Sequence, residues 1–274
     1  MTAPGGGRLV VCPTPIGNLE DITLRAVEAL RSADVIACED TRTSKVLLDR
    51  YEITTPRVRY DEHVERRAAA QLVGRIREGE TVALVSDAGM PLVSDPGFVL
   101  VAMAIEEGLA IEVLPGPSSV TTALVASGLP AERWSFVGFL PRKRGELTKL
   151  FEEEQTLVAF ESPRRAAATL KLLAGLDPSR PVALCRELTK RFEEVVRGSA
   201  AELAERFASA PPKGEVVLVI GAAESGSGDR AAAEAAVREL VAAGAKARAA
   251  ATAVAGLTGL SANDLYRAVA TPGH

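Results

Sequence analysis

The sequence predicts an α/β protein. Short apolar, β-branched runs alternate with stretches of helical periodicity. Polar turns carrying glycine or proline follow most of the runs, and the 274-residue chain is long enough for two ordinary domains. The strand-like runs are residues 9–12, 35–38, 82–85 and 111–114, then 136–139, 157–160, 182–185 and 216–220. Between them, Val64, Ala68, Leu72 and Ile76 recur at every fourth position and trace one helical stripe. Residues 102–107, 120–127, 166–173 and 201–208 have the same rhythm. Strands alternating with helices predict mainly parallel sheets. A rigid turn at Pro115-Gly116-Pro117 and a polar linker from Glu224 to Asp229 divide the chain into α/β domains at 8–115 and 116–223 and an Ala-rich helical tail at 230–272. The tail breaks at Gly244 and again at 259–261, where Ser261 is placed to cap a last helix holding Leu265, Tyr266 and Val269. That rhythm is similar to a helix-turn-helix unit. Lys246 and Arg248 are thin cover for a DNA groove, so an Ala-rich bundle is the competing reading.

Composition narrows the function. Hydrophobic residues make up 47% and charged residues 25%, the balance of a soluble globular protein. No apolar run is long enough to span a membrane, and the start (MTAPGGGRLVV) lacks the pattern of a signal peptide, so a cytoplasmic protein is expected. Gly5, Gly6 and Gly7 follow no strand and form a lead-in rather than a phosphate loop. Cys12, Cys38 and Cys185 are widely separated and odd in number, which predicts buried free thiols in a reducing compartment. Two histidines, one of them C-terminal, make a His-based zinc site an unsupported reading, and no metal is expected. A net charge of -4 argues against a protein that coats bare nucleic acid, so any nucleic-acid role must rest on local basic patches.

Six polar turns stand at strand ends, where ligands bind in open α/β sheets. In the first, Pro13, Thr14 and Gly17 lead toward a helix expected near Asp21 or Ile22, with Asp21 as its N-cap. Neither a GxGxxG nor a GxxxxGK[ST] pattern is present, so no dinucleotide or P-loop site is supported. An ordinary strand-to-helix turn accounts for the same residues. In the second, Glu39, Asp40, Thr41 and Arg42 cluster after a buried strand, as substrate ligands, as a helix cap, or as both. In the third, SDAGMPLVSDPG, the second Ser-Asp has a structural explanation, because Ser94 and Asp95 open a helix with Pro96 at its first position. The first Ser-Asp has none, which leaves Asp87 free to accept hydrogen bonds while Gly89 permits close backbone approach. The fourth turn offers Ser118 and Ser119 to cap a helix or bind a ligand. FESPRR (160–165) and CRELTKR (185–191) complete the set.

Taken together and in order, TPIGNLEDITLRA, CEDTR, SDAGMPLVSDPG, PGPSS, SGLP, FVGFLPRK, ESPRR, RELTK and KGEVVLVIG resemble the ribosomal RNA small subunit methyltransferase I family, inside the tetrapyrrole-methylase superfamily. The resemblance covers roughly residues 8–222. It implies two α/β domains of the tetrapyrrole-methylase type with the cofactor cleft between them, plus a small C-terminal helical domain, commonly as a homodimer. It implies 2′-O-methylation by S-adenosylmethionine of a decoding-centre cytidine in 16S rRNA, within the small ribosomal subunit. On the cofactor side it places Pro13, Thr14 and Gly17, Asp87, Ala88 and Gly89, Pro115, Gly116, Ser118 and Ser119, and Phe160 and Ser162. The CEDTR and ELTK segments fall on the substrate side. Four positions depart from the family pattern: Val64 stands where Asn is common, Met90 where Thr is frequent, Ser119 where Ala is usual, and Arg164 where His is usual.

A ribose hydroxyl is a poor nucleophile, so this chemistry calls for a proton acceptor. Asp40, Glu39, His63, Glu65 and Glu187 are candidates, and Asp40 is favoured because Arg42 can orient it. Lys190 is placed to stabilise a developing alkoxide or to contact a phosphate. Glu39, Arg142, Lys143, Arg144 and Arg164 are the candidate substrate ligands, and Arg142 to Arg144 have no evident acidic neighbour. A tetrapyrrole methylase and a non-enzymatic nucleic-acid-binding regulator working through the tail are the alternatives.

Overall fold

The computed structural model describes residues 6–223, 230–258 and 260–270. The predicted linker Glu224 to Asp229, Gly5, Gly259, the end of the tail at 271–272 and the C-terminal His274 lie outside the described residues. The chain forms two compact units: one runs to Leu150 and takes in Thr156–Gly221, and the other combines Phe151–Gln155 with the chain from Ala222 onward.

The first unit holds two five-stranded sheets. Strands β1 (Arg8–Val11), β2 (Val35–Cys38), β3 (Arg57–Arg59), β4 (Thr81–Leu84) and β5 (Ala110–Val113) form the first, in the order β3-β2-β4-β1-β5 and all parallel. Helices α1 (Leu24–Ser32), α2 (Thr41–Arg50), α3 (Glu65–Arg77) and α4 (Phe98–Glu106) lie between them in sequence. Alternation in the strands decides which helix packs where. Val10, Ile36 and Ala83 point into one layer with Ala26, Val27 and Leu30 of α1 and Leu47 and Leu48 of α2. Leu9, Val35, Ala37, Val82 and Leu84 point into the other, against Leu72, Val73 and Ile76 of α3 and Leu100 and Ala104 of α4. Burial on both faces is why these strands read as continuous apolar runs.

The second sheet contains β6 (Trp134–Phe139), β7 (Thr156–Glu161), β8 (Pro181–Arg186), β9 (Glu194–Ser199) and β10 (Val216–Ile220), in the order β6-β7-β10-β8-β9. Only β6 and β7 run parallel; the pairs β7/β10, β10/β8 and β8/β9 are antiparallel. The expectation of mainly parallel sheets therefore holds for the first sheet and is corrected for the second. Two strands escape a sequence reading. β3 is three residues long, and β9 (EVVRGS) mixes charge and glycine because its edge position leaves it half exposed. Helix α5 (Ser119–Ser127) packs Val120, Ala123 and Leu124 against Val158, Ala183, Cys185 and Val217. Helices α6 (Arg144–Leu150), α7 (Pro163–Leu176) and α8 (Ala200–Ser209) complete this unit. All three cysteines are buried and free.

Two helix starts differ from expectation. Asp21 caps nothing: it ends a 3-10 turn (Leu19–Asp21) whose cap is Asn18, and α1 begins later, with the Thr23 hydroxyl accepting from the Ala26 N–H at 3.1 Å. Pro96 is not the first residue of α4. That helix begins at Phe98 behind Gly97, whose φ of +142° suits glycine, and no side chain caps it.

In the second unit, α9 (Arg230–Ala242), α10 (Ala247–Thr258) and α11 (Ala262–Ala270) gather Val237, Ala251, Val254 and Leu265 into a small core. Gly244, with φ +97°, makes the break after α9, and Ser261 caps α11 by accepting from the Asp264 N–H at 3.4 Å.

Candidate active site

The first loop is tied to the SDAG turn. Thr14 and Gly89 exchange backbone hydrogen bonds at 2.9 and 3.0 Å, and the Thr14 hydroxyl donates to the Ser86 carbonyl at 3.0 Å. On its far side, the Asn18 N–H donates to the Thr189 hydroxyl at 3.0 Å, which joins this loop to the ELTK segment of the second sheet. Close approach requires two glycines here: a Cβ on Gly116 would stand 2.4 Å from Pro13 Cγ, and one on Gly17 would stand 2.4 Å from Lys190 Cγ.

Three adjoining recesses open among these turns. The most enclosed has a volume of about 350 Å³ and is lined by Ala88, Gly89, Ser118, Ser119, Phe160 and Ser162 of the predicted cofactor set. The Ser118 and Ser162 side chains make no cap bonds to their helices, so both hydroxyls are available to a ligand. Pro13, Pro115 and Gly116 do not line the cavity; Pro13 and Gly116 press the two loops together behind it. A second recess of about 710 Å³ shares Ile16, Ala88 and Glu215 with the first and adds Thr14, Gly17, Asp40, Arg42, Asp87 and Lys190. A third, of about 480 Å³, shares Asp40, Arg42 and Asp87 with the second and adds Glu39, Arg59, Asp61 and His63. Arg142 and Arg144 lie elsewhere, lining a separate recess of about 460 Å³ with Arg165 and Lys171. Lys143 is turned onto Glu146 at 3.0 Å, which corrects the expectation of an unopposed basic triplet. Arg164 is exposed on α7 and lines none of these recesses.

Hydrogen bonding sorts the carboxylates. Asp40 is the N-cap of α2: Oδ1 accepts from the Arg42 N–H at 2.8 Å and from Nε at 3.1 Å, while Oδ2 accepts from Nη2 at 2.7 Å. Those bonds hold its carboxyl down at about 2, so Asp40 is a poor proton acceptor. Asp87, expected to be free, accepts from the Asp40 N–H at 3.2 Å and so joins two strand-end turns. Burial raises its carboxyl above the ordinary range, and burial does the same to Glu39. Glu187 accepts from Lys190 Nζ at 3.1 Å and from the Glu215 N–H at 2.9 Å; Lys190 also donates to Glu215 at 2.9 Å. Glu187 (φ +51°) and Thr189 (φ +65°) adopt left-handed backbone, a strained conformation of the kind that clusters at functional sites. Glu65 is structural, accepting from the Tyr60 hydroxyl at 3.2 Å and from the Gly97 N–H at 3.0 Å.

Sequence reasoning missed several lining residues. Leu188, Gly214 and Glu215 come from motifs it quoted, and Asp95 from a turn it explained as a helix start. Gly214 (φ +82°) is the legible signal, since a Cβ there would lie 2.2 Å from Glu187 Oε1.

Residues 8–204 match the family described as tetrapyrrole (corrin/porphyrin) methylases. The ribosomal RNA small subunit methyltransferase I of Mesorhizobium japonicum is 49% identical over 223 residues, covering 79% of this chain and 76% of that protein. That of Micromonospora olivasterospora is 45% identical over 272 residues, covering 97% of this chain and 87% of that protein. The chain belongs to the ribosomal RNA small subunit methyltransferase I family. It has the tetrapyrrole-methylase fold and is a methyltransferase. A solved uroporphyrin-III C-methyl transferase from Thermus thermophilus, complexed with S-adenyl homocysteine, superposes with a TM-score of 0.56 at 24% identity, covering 78% of this chain and 97% of that one. At that identity the likeness shows the fold.

Proposed function

We propose that this protein transfers a methyl group from S-adenosylmethionine to the 2′-oxygen of a decoding-centre cytidine in 16S rRNA, acting in the cytoplasm on the small ribosomal subunit. The observation that carries this reading is likeness along the whole length, tail included: 45% identity over 97% of the chain to a protein of that family.

The enclosed cavity fits the donor. Its size suits a small ligand, its walls join Phe160, Leu188 and Val217 to the hydroxyls of Ser118, Ser119 and Ser162, and Glu161 and Glu215 supply negative charge for a cation. When bound, the donor supplies a methyl group on a positively charged sulfur. Gly89 (φ +82°) presents bare backbone to it. Ala88 links this cavity to the second recess, which receives the nucleotide. There Asp40 and Glu187 position Arg42 and Lys190 to contact phosphates, Asp87 fixes the turn, and Glu39 and His63 line the outer approach. Alignment of the two reactants in neighbouring recesses supplies much of the rate, up to about 7–11 kcal/mol for ideal geometry. Arg142 and Arg144, with no ion-pair partner among the described residues, hold more distant phosphates. Phe98, Ile105 and Val113, exposed on α4 and the edge strand β5, support a homodimer.

The test is mass mapping of ribose methylation on small subunits lacking the modification, incubated with labelled donor, beside free 16S rRNA and uroporphyrinogen. Labelling of one cytidine sugar in the subunit is expected. Labelling of the tetrapyrrole, or of a base, would overturn the proposal.

A further inference from the structure

Asp95 reads in sequence as part of a helix start, and the structure removes that role. Helix α4 begins three residues later with no side-chain cap, and Asp95 instead lines the enclosed cavity. The loop that carries it is held in unusual backbone, with Leu92 at φ +72° and Ser94 at φ +66°. Strain of this kind persists where surrounding structure over-determines a position and is common at functional sites.

We infer that Asp95, which lines the donor cavity, is the proton acceptor of methyl transfer. The inference rests on the proposed hydroxyl substrate. As the nucleophile's oxygen bonds to the methyl carbon, the carbon–sulfur bond breaks with its electron pair returning to sulfur. Asp95 takes the hydroxyl proton. The carboxylate becomes a neutral acid and the sulfonium a neutral thioether, so charge balances.

Position and elimination support this assignment. Asp95 lines the donor cavity yet feels the charges of Asp87, which lines the second recess, and of Glu39, which lines the third. Of the other carboxylates around the cleft, Glu39 lines the outer recess rather than the donor cavity, and the rest are engaged. Asp40 is bound by Arg42, and Glu187 by Lys190 and the Glu215 N–H. Glu161 accepts from Thr169 at 2.6 Å and from the Ser162 N–H at 2.7 Å and faces Arg165 at 3.3 Å; Glu215 is held by Lys190. His63 is exposed in the outermost recess. The groups that act on Asp95 are two carboxylates, Glu39 from the turn after β2 and Asp87 from the turn after β4, and the Ser86 hydroxyl. Burial is the largest influence, and with Glu39 and Asp87 it outweighs the hydroxyl to push Asp95 up to about 6, where a carboxylate is a useful base at neutral pH.

The experiment uses the whole protein, with Asp95→Asn and Asp95→Glu. Asp95→Asn should lower kcat by about 10²–10⁴-fold while changing the Kd for S-adenosylhomocysteine by less than about threefold. The wild-type pH profile of kcat/KM should rise to a plateau above about 6, and that limb should vanish in Asp95→Asn and return in Asp95→Glu. In the protein without nucleic acid, the carbon-13 carboxyl resonance of Asp95 should titrate near 6. Retention of most turnover by Asp95→Asn, or titration of Asp95 at the ordinary carboxylate value, overturns the assignment. If wild-type protein modifies no ribosomal RNA while Asp95 still titrates high and its variant binds S-adenosylhomocysteine normally, the substrate proposal fails and the acceptor survives for another hydroxyl.

Discussion

Replacing Asp95 by asparagine should stabilise the fold at neutral pH while it removes turnover. The folded protein raises this carboxyl from 3.8 to about 6, chiefly by burying it. A raised value means that folding favours the protonated form. The group therefore costs nothing below the unfolded value and costs increasingly more as pH climbs through the folded one. At about 1.36 kcal/mol per unit the full cost at pH 8 is about 3 kcal/mol, and partial exposure discounts it to about 1–3 kcal/mol. Asparagine keeps the shape and the hydrogen-bonding oxygen without the charge. For a unit of this size the gain corresponds to a melting temperature higher by about 2–12 °C. The assay is calorimetry of both proteins from pH 3.5 to 8. The melting curves should coincide at the acid end and separate as pH passes from about 4 to about 6, with the variant higher. A variant equal to or less stable than wild type at pH 8 would refute the reasoning, because Asp95 would then be an ordinary solvated carboxylate.

Other perturbations probe the scaffold. Gly116→Ala sets a Cβ 2.4 Å from Pro13 Cγ, should cost about 1–3 kcal/mol in urea unfolding, and should weaken donor binding measured by calorimetry. Thr23→Ala should cost about 0.5–2 kcal/mol through loss of the α1 cap, whereas Asp21→Ala should be nearly neutral; the reverse order would restore the cap that sequence alone suggests. Burial lifts the Cys12 thiol to about 12 and the Cys185 thiol to about 11, so neither should be alkylated by iodoacetamide at pH 8 until the protein is unfolded, as followed by mass spectrometry.

Period and composition alone determine a good deal of this protein. The centre of the parallel sheet is legible because its inner strands are buried on both faces and read as apolar runs, as at Val35–Cys38. The three-helix tail is legible through Gly244 and Ser261, whose backbone tasks few other residues perform. Gly89, Ser118 and Ser119 of the cavity lining are legible because strand-end turns need small or hydroxylated residues where backbone must approach a ligand, whereas Gly214 escaped that reading. Tertiary structure decides the remainder. Strand direction in the second sheet depends on which partners β10 finds, and the edge strand β9 carries no periodic signature. The roles of the acids were undecidable in sequence, since Asp40, Asp87 and Asp95 each follow a strand or open a turn. Only in space does Arg42 occupy the first, the backbone of Asp40 occupy the second, and burial beside two like charges leave the third protonated until nearly neutral pH. The basicity of a carboxylate is set by its solvation and its neighbours, and neither exists before the chain has folded.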